Sequence, residues 1–188
     1  SRSDDLFYSV SLAQMSAFIT GSNHTCPVIS NTSNTPPTVT LPQNSYTIPV
    51  STAFELIADA SDSDGTSLTY TWEQIDNELG GAMPPETTNT DGPMFLALNV
   101  TPDPRRRFPS GINPTYEVLP SVARDMDFRV TVRDNDSRYG CTAEADVRVS
   151  TTGSTPFEIT NYNTTATLEG LSTYTVEWEV AGTISPPF

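Results

Sequence analysis

The sequence predicts a mainly β protein, an antiparallel two-sheet sandwich preceded by one short helix. Three observations carry this. Leu68 to Glu73 alternates strictly, with Leu68, Tyr70 and Trp72 on one side and Thr69, Thr71 and Glu73 on the other. Period two with β-branched and aromatic residues is a strand with one buried face, and a buried Trp on a central strand is a common anchor of a sandwich. Met126 to Val132 and Ala143 to Ser150 alternate in the same way around a short turn, as a hairpin does. The 16 prolines, 10 glycines and many Ser and Thr residues favour short strands joined by turns over a helical bundle.

Taken in order, residues 1–25 read differently from the rest. Ser11-Leu-Ala-Gln14 matches a capping box, with Val10 and Met15 placed for a hydrophobic staple. Leu12, Met15 and Ile19 follow helical spacing and Gly21 closes the run, giving a helix of about two turns. A helix this short needs something to dock on. Residues 26–35 are a polar linker, and Pro36-Pro37 stiffens the approach to a first strand at Thr38–Leu41.

The sandwich spans residues 36–150. Ala53 to Ala58 is its next strand, with Phe54, Leu56 and Ala58 on one face. The segment Asp59-Ala-Ser-Asp62-Ser-Asp64-Gly65 then leads into the Trp72 strand. Met94 to Leu98 is a continuous apolar run, read as a buried strand. Asn99 to Asp125 is a long irregular crossing that carries Arg105-Arg106-Arg107, the one basic cluster, expected to pair with nearby carboxylates. In the hairpin Phe128, Val130 and Val132 point inward, as do Ala145, Val147 and Val149. Residues 151–188 are a second linker followed by strand-like runs at Phe157–Ile159 and Tyr174–Val180. Those runs are expected to add to the sandwich edge, to dock as an appendage or to pair between chains. The abrupt start and the ending in Pro186-Pro187-Phe188 predict a piece of something larger.

Composition excludes several functions. The chain has 188 residues, no lysine and a net charge of −14, which repels nucleic acid and anionic membranes. No run approaches the ~18 apolar residues of a spanning helix, and no basic segment followed by an apolar run opens the chain. Zinc is not expected, because the only histidine is His24 and no H-E-x-x-H occurs. No nucleophile motif accompanies that histidine. The two cysteines, Cys26 and Cys141, flank the sandwich and are candidates for a disulfide in an oxidising compartment.

A hard cation is the better match. Asp62 and Asp64 stand at i and i+2 before Gly65, and Asp134 and Asp136 end a strand that should neighbour the Trp72 strand. Asn34 and Thr35 lie where the linker reaches the same end. Oxygen donors from three segments suit Ca²⁺. Asp59 and Asp136 are the weaker donors of the group. The plainer account is that these aspartates make Asx-turns and keep the protein soluble.

Asp62-Ser-Asp64-Gly65, Leu68-Thr-Tyr-Thr-Trp72 and Phe128-Arg-Val-Thr-Val-Arg-Asp134-Asn135 together resemble the immunoglobulin-like polycystic-kidney-disease (PKD) module, over residues 36–150. More narrowly, Leu68 to Asp76 and the Pro/Arg crossing resemble the module that follows the catalytic domain of bacterial secreted reprolysin-like zinc metalloproteases. Asp5 to Leu12 resembles the end of that catalytic domain, and residues 157–180 the start of a further β-module. One departure is that Glu73-Gln74 follows Trp72 where the family more often has D-F-G-D-G. The resemblance implies a secreted or cell-surface, non-catalytic accessory module, acting as spacer, adhesion surface or substrate-presenting unit. Its partners would be the upstream protease domain and an extracellular protein or glycan, with no nucleic acid and no membrane span. It also implies Ca²⁺ held by Asn34, Thr35, Asp62, Asp64 and Asp134, with no zinc in this part. Two other readings stay open: a carbohydrate-binding module, which needs an exposed row of aromatics, and a hydrolase working through carboxylates.

Overall fold

Strict alternation makes the long hairpin the frame on which the other strands are laid. In the computed structural model, residues 7–21, 32–65, 67–76, 84–111, 115–137, 139–153, 155–162 and 164–183 are described. The elements in order are α1 (Ser9–Thr20), β1 (Thr38–Thr40), β2 (Ser45–Pro49), β3 (Phe54–Ile57), β4 (Asp59–Ser61) and β5 (Thr69–Gln74). There follow β6 (Arg105–Phe108), β7 (Arg124–Arg133), β8 (Thr142–Thr152), β9 (Glu158–Ile159) and β10 (Trp178–Glu179). The protein is mainly β with one N-terminal helix.

The largest sheet has the order β2-β8-β7-β5; β1–β4, β3–β6 and β9–β10 are two-stranded antiparallel pairs. Strands β5, β7 and β8 are antiparallel as expected, with Trp72 opposite Val130 and Val130 opposite Ala145. The departure is β2, which runs parallel to β8, Ser45 opposite Arg148 and Pro49 opposite Thr152. Parallel neighbours need a long connection, and about half of the chain lies between these two. Pro49 fits at the end of an edge strand, where no ladder donor is missed.

One face of the large sheet is the core. Met126, Phe128, Val130 and Val132 of β7 have no exposed surface at all. Strands β3 and β6 cover part of that face through Phe54 and Phe108, whose rings stack at 5.0 Å, and Phe108 meets Phe128 edge-on at 4.8 Å. Phe95 closes the cluster at 5.2 Å from Phe108. Such ring pairs each add about 0.5–1.5 kcal/mol beyond their buried area.

Met94 to Leu98 does not form the expected strand. Met94 and Phe95 are buried, but their N–H groups are bonded by the Gln74 Oε1 side-chain oxygen at 2.7 and 3.1 Å instead of by a ladder. The ladder place goes to β6, whose three successive arginines hide its alternation: Arg106 and Phe108 point in, Arg105 and Arg107 out.

The reverse face of β5 is also buried, against expectation. Thr71 and Glu73 are 2% and 7% exposed, and Thr131 beside them is fully covered. The start of α1 lies there. Ser9 N donates to Glu73 Oε2 at 2.9 Å, and Arg133 donates to Thr71 Oγ1 and to the Phe7 carbonyl. The expected capping box is not used. The helix begins at Ser9, two residues before Ser11, its N-cap Tyr8 does not cap the helix with its side chain, and the carboxylate of Glu73 serves the first donor from across the fold. The helix has 12 residues, about three turns, and Gly21 leaves it in an extended conformation, not a left-handed one. Helix α1 keeps Val10, Phe18 and Ile19 exposed.

Strands β9 and β10 pair with each other, Ile159 opposite Trp178. Phe157 N donates to Thr52 Oγ1 and so ties this hairpin to the body.

Candidate functional site

The Asp62–Gly65 turn, the Asp134–Cys141 turn and the linker residues Asn34 and Thr35 meet at one pole. Each turn is built by its own first aspartate. Asp62 Oδ1 accepts from Asp64 N at 2.8 Å, and Gly65 follows at φ +74°, where glycine is unstrained. Asp134 Oδ1 accepts from Asp136 N at 3.2 Å and from Cys141 N at 2.9 Å, and the Asp134 side chain is fully buried. Both are Asx-turns, so the structural role set against calcium in the sequence is present in full.

The linker then joins the turns. Asn34 Nδ2 donates to Asp134 Oδ2 at 2.7 Å and to the Tyr139 carbonyl at 2.5 Å, while Thr35 N donates to Asp64 Oδ2 at 2.6 Å. Two consecutive residues thereby hold carboxylates from turns about 70 positions apart in the chain. All five residues expected at the cation site thus fall in two hydrogen-bonded sets, Asn34 with Asp134 and Thr35 with Asp64 and Asp62, joined through the Asn34–Thr35 peptide. Of the two weaker ones, Asp136 is in the first set, its Oδ1 accepting from Tyr139 N. Asp59 is in neither, because it lies in β4 opposite Thr40.

The donor set consists of carboxylate, amide and carbonyl oxygens, the type Ca²⁺ takes. Among the described residues no three Asp, Glu, His or Cys side chains converge as a metal-holding group. The oxygens of Asp64 and Asp134 face N–H groups of the linker. A cation at this pole would compete with Asn34 Nδ2 and Thr35 N for them.

Asn135 is a member that sequence reasoning passed over. At φ 52° it occupies the left-handed region, which Asn tolerates better than most residues. Its Nδ2 donates to the Ser67 carbonyl at 2.8 Å, which locks the β7 turn to the turn before β5. The signal was available, since Asp134-Asn135-Asp136 after a strand is turn chemistry.

Cys141 is half-buried with its thiol near the Tyr139 carbonyl; Cys26 and His24 lie outside the described residues, and so does any pairing of Cys26 with Cys141.

The arginine cluster divides. Arg106 is buried, pairs with Glu117 at 2.7 Å, and donates to the carbonyls of Trp72 and Leu96 while its guanidinium lies 4.4 Å from the centre of the Phe108 ring. Arg107 pairs with Glu55 at 3.0 Å on the surface. Trp72, the residue on which a carbohydrate platform would depend, is 3% exposed, with its Nε1 donating to the Pro104 carbonyl. Among the described residues no helix is long and apolar enough to cross a membrane. Compared with protein-family models, curated proteins and solved structures, the chain matches none.

Proposed function

We propose that this chain is a non-catalytic accessory module of a secreted metalloprotease, an immunoglobulin/PKD-type sandwich that serves as spacer, adhesion surface or substrate-presenting unit. Its pole at Asn34-Thr35 takes Ca²⁺. The observation that supports this best is the linker itself: adjacent residues reach Asp134 and Asp64 in two separate turns. Carboxylates gathered by a fold repel one another unless positive groups stand among them. Amide N–H groups supply part of that, and a divalent cation would supply more. An ion held by the folded chain and not by the unfolded one stabilises by mass action. It would also fix the angle between this module and whatever precedes the linker.

The burial of Trp72 weighs against a carbohydrate platform at that residue. The commitment of Asp62 and Asp134 to Asx-turns weighs against carboxylate catalysis at this pole. The test is thermal melting in millimolar CaCl₂ against chelator. At a hundredfold excess over Kd the wild type should gain about 2.7 kcal/mol, or about 5–10 °C. Asp64→Asn should lose most of that gain. A wild-type melting temperature indifferent to calcium removes the cation, and chelator-sensitive proteolysis by the pure chain removes the accessory reading.

A further inference from the structure

We propose that the free edge of β6 is a docking site for an extended acidic peptide, which adds as a strand with its carboxylates on Arg105 and Arg107. This stands apart from the calcium reading and uses the opposite signs of charge.

Among the described residues β6 pairs only with β3, so its other edge is open. The ladder tells which groups point there. Ala58 N donates to the Pro104 carbonyl at 3.2 Å, and bonded pairs in an antiparallel ladder recur at every second residue. Leu56–Arg106 and Phe54–Phe108 are therefore the bonded pairs, and the backbone groups of Arg105 and Arg107 point away from β3. Asp103 Oδ1 takes the Arg105 N–H at 3.0 Å. Among the described residues, the Arg105 carbonyl and both backbone groups of Arg107 remain for an incoming strand.

A cleft of about 720 Å³ lies along this edge, with Tyr70, Trp72 and Leu98 among its walls and all three arginines beside it. Arg106 closes its floor, its charge matched by the buried Glu117. Arg105 and Arg107 share the outward face of β6, about 7 Å apart as i and i+2 in a strand. Arg105 stands opposite Ile57, so no carboxylate faces it across the ladder. Arg107 has Glu55 across from it, in a pair 83% and 41% exposed that a better-placed carboxylate could exchange for. Charged side chains on an edge also serve to prevent strand addition. A cleft beside the edge is what a partner strand needs and what mere protection does not. Main-chain bonds would supply affinity and the two arginines the preference for acidic side chains at alternate positions. The whole chain carries a charge of −14, but at physiological salt its distant part is screened beyond ~8 Å, which leaves the exposed Arg105 and Arg107 set against Glu55 and Asp103 at the cleft.

The probe is a labelled eight-residue peptide alternating glutamate and threonine, with a lysine–threonine companion, titrated into the full chain in chelator at physiological salt. Anisotropy should give the glutamate peptide about tenfold tighter binding, the worth of two cross-strand charge pairs. Arg105→Glu/Arg107→Glu, two exposed positions, should reverse the order; the Arg107–Glu55 pair is lost and two glutamates then stand opposite each other, so the melting temperature should fall by a few degrees with folding kept. The Arg107 amide should exchange more slowly with the peptide bound. No saturable binding, equal binding of both peptides, or an order that survives the double charge reversal overturns the proposal. So does a neutral tetrasaccharide that binds in the cleft and competes with the peptide.

Discussion

Replacing Glu117 by glutamine should cost the fold about 3–5 kcal/mol, the loss expected when a buried ion pair is broken from one side. The magnitude follows from what the carboxylate does. Its side chain has no exposed surface, and it accepts three bonds: from Arg106 Nη2 at 2.7 Å, from Ser110 N at 2.7 Å and from Ser110 Oγ at 2.5 Å. Glutamine keeps one acceptor oxygen and puts an NH₂ where the other stood, against groups that are themselves donors. Arg106 stays charged. Burial pushes its guanidinium below its ordinary value, but the Glu117 charge and hydrogen bond push the other way. A cation 7% exposed would then lack its counter-charge while still holding the Trp72 and Leu96 carbonyls. Since domains are stable by about 5–15 kcal/mol, the change should be plain in a urea titration followed by Trp fluorescence. The control is the same substitution on an Arg106→Met background. With the cation gone, neutralising Glu117 should cost about 1 kcal/mol or less. A loss below ~1 kcal/mol in the wild type, or equal losses on both backgrounds, would refute the account of Arg106 as a buried strut between β5 and the Met94–Leu98 segment.

Trp72→Ala should cost roughly 3–5 kcal/mol, since the ring is 3% exposed and faces the core; a denaturant midpoint close to wild type would mean the ring does no packing. Glu73→Ala removes the acceptor for the first N–H of α1 and should destabilise the docked helix by about 0.5–2 kcal/mol, read as faster amide exchange at Ser9; unchanged exchange would show the cap to be idle. Asp76 gives a pH signature. Burial, partly offset by the Gln74 and Asp127 hydrogen bonds and by Arg124, raises its carboxyl above the ordinary value. The folded chain then holds this proton more tightly than the unfolded one, so the group's contribution to stability rises as pH falls through the carboxylate range. Asp76→Asn abolishes that term, and the wild type should therefore gain on the variant between pH 7 and pH 4. A stability gap independent of pH would contradict the direction of the shift.

The strands that could be read in the sequence are those whose apolar and polar residues alternate, whether or not the polar face stays wet. Phe128, Val130 and Val132 alternate with Arg129, Thr131 and Arg133, and the ladder matches that pattern residue for residue. β6 could not be read this way, because Arg106 breaks the pattern. An arginine at an inward position looks like a surface residue until Glu117, distant from it in space only once the chain is unfolded, is known to lie against it. Met94 and Phe95 misled in the opposite sense. Their apolarity announced burial correctly, but a side-chain oxygen from Gln74 replaces the ladder, and sequence offers no period for that. At the pole, each Asx-turn was legible because it is local, Asp62 reaching Asp64 and Asp134 reaching Asp136. That both turns end on one linker was expected only from the order of the elements, which brings Asn34 and Thr35 to the same end, because contacts from Asn34 to Asp134 leave no mark on local pattern.

The two ends of β5 join these observations into one mechanical picture. At its start, Asn135 and Thr69 tie the strand to the aspartate turns that hold the linker. At its end, Glu73 holds α1 and Gln74 holds the Met94–Phe95 segment. Between them, Trp72 is fixed by the Pro104 carbonyl on one atom and by Arg106 on another. A strand fastened at both ends and in its middle transmits displacement poorly as local bending, since packed interiors are stiff. A shift in the linker angle at Asn34-Thr35 would accordingly reach α1 as a rigid rotation carried by the β5–β7 pair, and both segments N-terminal to the sheets would move together or not at all. That is the behaviour the proposed spacer role would require, and it needs no moving part within the sheet itself.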